Sequence, residues 1–382
     1  MRRLFGAALA AAAIGGACSR SSSSAPPTAR YSTRSGAVLE VSTFVSGLEV
    51  PWSLAFTSPS RLLVTERPGR IRIVQHGVLQ PRPLAALEDV EARGESGLMG
   101  IALSPGYPSS REIFLCYAYD TPSGPAVRVA RFLDDGSSIS GRRVLIEGIP
   151  AAQYHAGCRL RFGPDRKLYV TTGDATDGRI AQDLRSLGGK TLRLNPDGSI
   201  PPDNPFPGSP VFSYGHRNSQ GLDWDPRSGL LVETEHGPSG FDGPGGGDEI
   251  NVVEAGKNYG WPIVHHRESH AGMVSPILEY TPAVAPSGAS FSVGTRLPTF
   301  RGDFFFATLR GERLIRVRFD PADPRRVVET EEYFPDVYGR LRDVVSGPDG
   351  ALYVATSNRD GRGRPRPGDD RILRIVELPR VH

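Results

Sequence analysis

An all-β propeller of six blades, each a four-stranded antiparallel sheet, is the fold this sequence predicts. Three observations lead there. Six short hairpin-like units recur along the chain. Gly (45) and Pro (34) are abundant without any collagen period, as a turn-rich β protein requires. No stretch keeps a helical apolar period, and repeated β hairpins on this scale suit four-stranded blades around a channel.

The units run in order. Leu54-Ala55-Phe56 pairs with Leu62-Leu63-Val64, and Ile101-Ala102-Leu103 with Ile113-Phe114-Leu115. Leu160 to Phe162 pairs with Leu168 to Val170, and Leu222 to Trp224 with Leu230 to Val232. Ala289 to Phe291 pairs with Phe304 to Ala307, and Val344-Val345 with Leu352 to Val354. Turns such as Gly-Pro-Asp join most of them. Further strands follow at Ile71 to Val74, Thr191 to Leu194, Ile250 to Val253, Leu314 to Phe319 and Ile372 to Val376. Val38 to Val45 is placed to pair with the last blade, closing the ring and removing a free edge. A sandwich of similar strand count explains the repeats less well.

The chain divides into three parts. Residues 1–18 read as an export signal: Met1-Arg2-Arg3 is positive, Leu4 to Ile14 is apolar but too short to span, and Gly15-Gly16-Ala17-Cys18 is small. Cys18 resembles the acceptor cysteine of bacterial lipoproteins, although Gly15 stands where that motif usually has Leu. Lipidation and plain cleavage both stay open, so the expected location is periplasmic or outer-membrane-anchored. Residues 19–36, rich in Ser and Pro, read as a disordered tether. Residues 37–380 form the propeller. Cys116 and Cys158 then remain, as a bridge or as unpaired buried thiols. Net charge is +3, with basic residues scattered, so nucleic acid is not indicated.

In a propeller the open ends of equivalent hairpins share one rim. If Phe162 faces Lys167, His155 faces Asp174 there, with Cβ atoms about 4.5–5.5 Å apart, so a carboxylate can hold an imidazole. If Trp224 faces Leu230, Asn218 faces His236 and Arg217 faces Gly237. Glu95, Arg310, Arg340 and Arg342 fall near the same rim. Four arginines there suit a polyanionic small molecule, since guanidinium binds carboxylates in bidentate fashion. The acidic, glycine-rich loop from Gly237 to Glu249 offers carboxylates and carbonyls, the ligands Ca²⁺ takes, without being an EF-hand.

These stretches resemble the soluble aldose (glucose/sorbosone-type) dehydrogenases that use pyrroloquinoline quinone. The resemblance spans roughly Val45 to Ile375. It rests on Gly94-Glu-Ser-Gly-Leu98, the run from His155 to Asp174, and Gln182-Asp183-Leu184 through Gly189-Lys190. It rests also on Ile200 to Pro205, Gly215-His-Arg-Asn-Ser-Gln-Gly221, Glu235-His-Gly-Pro238, Asp248-Glu-Ile-Asn251, Gly256 to Pro262 and Val284-Ala-Pro-Ser-Gly288. Many short matches in one order are far more specific than any single one.

The resemblance implies a six-bladed propeller that oxidises the anomeric carbon of an aldose to a lactone and passes electrons to an external acceptor. It implies His155 as general base, Asp174 as its support, and Arg217 with Asn218 polarising the quinone carbonyl. Glu95, His236, Arg310, Arg340 and Arg342 match positions that hold the cofactor. Gly237 and Pro238 match carbonyl ligands of a Ca²⁺ at the cofactor, and Glu249 and Tyr259 a structural Ca²⁺. Four positions depart. Glu95 stands where some members have Gln, Arg310 where others have Lys, and Cys158 where Gly is common. Ala283 replaces the Thr of glucose-oxidising members, which points to the broader aldose branch. A Ca²⁺-dependent lactonase-like hydrolase and a non-catalytic binding propeller are the alternatives.

Overall fold

Each inner hairpin of the sequence becomes the wall of a central channel, because its alternating apolar residues must be covered on both faces. The structure, a computed structural model, describes residues 28–379. Six antiparallel sheets surround the channel. Their inner strands are Pro51–Ser58, Leu98–Leu103, Leu160–Phe162, Ser219–Trp224, Pro286–Phe291 and Leu341–Ser346. Between neighbouring blades lie separate apolar cores. One joins Phe114 and Cys116 to Leu168 and Val170, and another joins Leu39 to Phe305, Leu314 and Val354. Each such side chain contributes about 1.5–3 kcal/mol on burial.

The ring closes as expected. Val38–Ser46 pairs with Arg371–Glu377, so the last sheet takes its outer strands from the start of the chain. The last part of the stretch read as a disordered tether is ordered. Thr28–Ser32 adds one more strand to that sheet, its Tyr31 ring 4.4 Å from Phe334. Its polar sequence hides a strand held mainly by backbone pairing. The stretch read as an export signal, Cys18 and residues 19–27 lie outside the described residues.

Two registers differ from expectation by one residue. Phe162 faces Leu168, not Lys167, because Arg166 takes a left-handed conformation (φ 62°) and lengthens the turn. Trp224 faces Leu231, not Leu230. In that hairpin a bulge between Ser219 and Gly221 then restores the expected pairing at the rim, where His236 N–H donates to Asn218 O at 3.1 Å.

Cys116 and Cys158, both fully buried, form a disulfide with Cα atoms 6.2 Å apart. It links the second blade to the approach of the third. Its sequence separation of 42 residues corresponds to about 4 kcal/mol in the loop-entropy account. Cys116→Ala/Cys158→Ala is expected to lower the urea unfolding midpoint under non-reducing conditions. An unchanged midpoint would mean that the two thiols are not joined in solution.

Candidate active site

The channel opens at one end into a cleft of about 430 Å³. Glu95, His155, Arg217, His236, Gly237, Pro238, Arg310, Arg340 and Arg342 all line it. They come from the rim ends of five blades, the second to the sixth, which the equivalent orientation of the hairpins brings together.

His155 sits above the third blade in a left-handed conformation (φ 59°). The loop carrying it presses onto Gly173, where a Cβ would lie 1.7 Å from the His155 carbonyl oxygen. Only glycine permits that approach, and it sets the next residue, Asp174, against the imidazole. His155 Nδ1 lies 2.7 Å from Asp174 Oδ1. Contact between these two therefore comes from loop packing, not from the ladder register. Asp174 also accepts from Thr176 N–H at 2.8 Å and, through Oδ2, from Trp261 Nε1 at 2.8 Å. Both side chains are nearly buried. With the carboxylate accepting at Nδ1, the imidazole carries its proton there and leaves Nε2 as an acceptor.

Glu95 bears on the same residue. Its Oε2 accepts from His155 N–H at 3.1 Å, and its Oε1 meets Arg362 Nη1 at 2.8 Å. Burial disfavours the Glu95 carboxylate, but Arg362 and the His155 N–H hold its pKa below the ordinary range. The carboxylate that looked out of place in the sequence thus has its own counter-ion.

The arginines differ in how they are held. Arg217, 1% exposed, donates from Nε to Asp242 Oδ2 at 2.8 Å and from Nη2 to Ser239 Oγ at 3.0 Å. Its Nη1 donates to His236 O at 3.2 Å. The guanidinium expected to face a cofactor carbonyl is thus held by the loop after the fourth blade's second strand. Arg340 pairs with Asp360 at 2.7 Å. Arg342 has neutral partners, Gln220 Oε1 at 2.6 Å and Ser287 Oγ at 3.3 Å. Burial pushes its pKa down to about 10. Arg310 stands exposed at the cleft edge. Burial likewise drives His236 down to about 4, with Arg217 and Arg342 adding to it against Asp248 and Glu95. Three buried polar atoms here have no partner: Asn218 Nδ2, His236 Nε2 and Arg342 Nε.

Glu249 and Tyr259 lie elsewhere. Glu249 pairs across the strands with Glu235, which binds His216 Nδ1 at 2.8 Å, and the His216 ring stacks on Tyr259. Glu233 completes a compact buried group with His216 and Glu235. Burial and the Glu235 carboxylate push the Glu249 pKa well up. The Tyr259 hydroxyl is committed to Val252 O and Glu254 N–H, which leaves its carbonyl as the atom a metal could use.

The family described as Glucose / Sorbosone dehydrogenase matches residues 48–374. The chain belongs to that family. It is 36% identical over 83% of its length to an uncharacterized Synechocystis protein, slr1608, covering 84% of that protein. It is 34% identical to the aldose sugar dehydrogenase YliI of Escherichia coli, over 85% of this chain and 92% of that one. The solved PQQ-bound aldose sugar dehydrogenase of Streptomyces coelicolor superposes with a TM-score of 0.80 at 36% identity, covering 93% of this chain and all of the other.

Within this glucose/sorbosone dehydrogenase chain, several lining residues escaped the sequence reading. Arg362, Asp360 and Arg67 line the cleft from turns with no strand period to place them. Asp242 and Phe241 sit in the acidic loop read only as a metal-binding stretch. Trp261 lay inside a matched motif, but nothing marked its N–H as the partner of Asp174. Trp261→Phe leaves Asp174 Oδ2 short of a donor in a buried site. The expected cost is about 1–3 kcal/mol of stability, read as a lower denaturant midpoint with the fold unchanged by circular dichroism. Wild-type stability in this variant would show that water replaces the indole.

Proposed function

We propose that this chain oxidises the anomeric carbon of aldose sugars with pyrroloquinoline quinone as cofactor. The observation that carries the reading is the His155–Asp174 pair at the wall of an arginine-rich cleft. Its relatives' activity and the PQQ in the Streptomyces coelicolor structure support it.

The residues fit such a cofactor. It is a planar tricarboxylate, and the cleft offers Arg340, Arg342 and Arg310, with an unpartnered Nε on Arg342; Asn218 Nδ2 is unpartnered too, but Asn218 is fully buried and not among the lining residues. When bound, the quinone supplies a two-electron acceptor. This chain's residues supply the rest. His155 Nε2 takes the proton of the anomeric hydroxyl, and Asp174 holds the ring and stabilises the cation that forms. Arg217 and Asn218 are the residues that would supply positive charge and an N–H donor to the reacting carbonyl.

Ca²⁺ suits two oxygen-rich places. At Gly237 a Cβ would lie 2.2 Å from the carbonyls of both Gly246 and Gly247, so carbonyl oxygens crowd this wall of the cleft. In the second place Glu233, Glu235 and Glu249 outnumber the single imidazole of His216, which Glu233 Oε1 meets at 3.2 Å, and Asn251 Oδ1 lacks a hydrogen-bond partner. Among the described residues, no cluster of side-chain metal ligands at the channel centre favours the hydrolase reading. Asp343 there is bound to Arg159 at 3.1 Å and to Leu54 N–H. Export to an oxidising compartment, with or without a lipid on Cys18, accords with the disulfide.

Two outcomes test the reading. Apo-protein titrated with the quinone and Ca²⁺ is expected to reduce dye on addition of aldoses. His155→Ala should lose turnover while still binding the quinone, and retained turnover would reject the base. Separately, Ca²⁺ is expected to raise the melting midpoint of chelator-treated protein, and Glu249→Gln to blunt that rise. A midpoint indifferent to Ca²⁺ would remove the structural metal.

A further inference from the structure

One large aromatic side chain at the cleft has no packing reason to be where it is. Phe241 is 62% exposed, yet it lines the cleft and lies over the catalytic imidazole, ring centroids 5.8 Å apart and planes within 22°. A solvent-facing phenyl ring on a glycine-rich loop would ordinarily swing free or be replaced by a polar residue. Here its neighbours are tied down. Asp242 grips the buried Arg217 guanidinium at 2.7 Å, and the Ser239 N–H donates to Asp242 Oδ1 at 2.9 Å. Ser239 Oγ accepts a third bond from Arg217. Gly240, at φ 90°, makes the turn between these anchors. The latch thus holds positions 239 and 242 and leaves the ring between them presented to the cleft.

We propose that Phe241 is the platform for the apolar face of a ring-closed aldose, and so a specificity-determining residue for the reaction proposed above, on which this inference rests. A pyranose carries hydroxyls around its edge and C–H groups on its faces. The cleft has groups for both. Glu95, Asp360, Arg67 and Arg362 offer hydrogen bonds, and Phe241 offers a large exposed aromatic face against the His155 ring, whereas the half-buried Tyr154 ring of the same cleft carries Arg362 over it. A sugar that brings its anomeric hydroxyl to His155 Nε2 lies within reach of that ring. Because the platform reads C–H surface and not hydroxyl orientation, it admits pyranoses of different configuration. It gives little to a short acyclic aldose, which has no continuous face to lay against it. Asp242 acts as the positioning residue: its hold on Arg217 fixes the height of the ring over the base.

The test compares Phe241→Ala and Phe241→Tyr with the wild type, each reconstituted with the quinone and Ca²⁺. For glucose, Phe241→Ala is expected to raise KM roughly tenfold with kcat little changed. KM for glyceraldehyde should stay put, and Phe241→Tyr should restore the glucose value. A second measurement needs no turnover. Saturation-transfer NMR with 1,5-anhydroglucitol, a closed ring lacking the anomeric hydroxyl, should show saturation of the ring C–H protons by the quinone-free wild type and its loss in Phe241→Ala. An unchanged glucose KM, or an equal change for glucose and glyceraldehyde, overturns the platform. Should the wild type show no turnover with the quinone, the dehydrogenase reading fails, and the NMR comparison still decides whether Phe241 binds a sugar face.

Discussion

A one-residue register shift near the cleft end of the inner hairpins is the constraint on which the rest of the site depends. Five of the six hairpins carry it, between Pro51 and Ser53, Leu98 and Ile101, Ser219 and Gly221, Pro286 and Ala289, and Leu341 and Asp343. A bulge leaves one residue outside the ladder and re-aims its side chain. The skipped residues include Trp52, Gln220 and Arg342. Arg342 reaches Gln220 at 2.6 Å and lies 5.7 Å from the Trp52 ring. Arg159 stacks on the same ring at 4.4 Å and pairs with Asp343. Together they fill the channel with an aromatic and polar floor, and the cleft rests on it. Apolar ladders alone would have sealed the channel with no donors aimed at a ligand.

The charge pattern above the floor follows from which arginines have carboxylate partners. Arg217 has Asp242, Arg340 has Asp360, and Arg362 has Glu95. Arg342 has amide and hydroxyl partners only, and burial taxes its cation, which its lowered pKa records. An anion placed beside Arg342 would relieve that cost, whereas one placed beside Arg217 must compete with Asp242. The cleft is therefore not a uniform positive bowl. Its positive charge without a carboxylate partner lies on the side of the fifth and sixth blades, at Arg310 and Arg342, while the fourth blade's guanidinium is held in place ahead of any ligand. The energetic logic is preorganisation: groups that must meet developing charge are fixed by the protein.

What the sequence made legible was whatever repeats. Six hairpins, the closing strand at Val38 and the sharing of one rim by His155, Arg217, Arg340 and Arg342 all follow from period and topology. Single-residue events were not legible. The left-handed Arg166 shifted the third hairpin, and a bulge at Gln220 cancelled a slip in the fourth, so one expected facing pair arose by compensation. The Cys116–Cys158 bond depends on how two blades approach each other, which no spacing encodes. Asp242 and Phe241 were hidden because a loop rich in glycine has no period, and its acids read equally as metal ligands or latches. Glu95 shows the same limit from the other side. Its charge was visible, but its counter-ion, Arg362, lies 267 residues away.

The placement of the base itself shows how the scaffold carries strain. A non-glycine residue in the left-handed region costs about 1–2 kcal/mol, and such residues persist where surroundings over-determine them. His155 is so determined from three directions. Its ring is bound by Asp174, its N–H by Glu95, and its carbonyl side is pressed against Gly173. Asp174 in turn is tied through its own N–H to Arg217 O at 2.8 Å, and Gly173 bridges to Asn218. The second, third and fourth blades therefore meet around His155 and the Gly173-Asp174 pair that holds it. Relaxing His155 to an ordinary conformation would swing its ring off Asp174 and break the bond from its N–H to Glu95. The imidazole's free edge faces the cleft because every other part of the residue is already held.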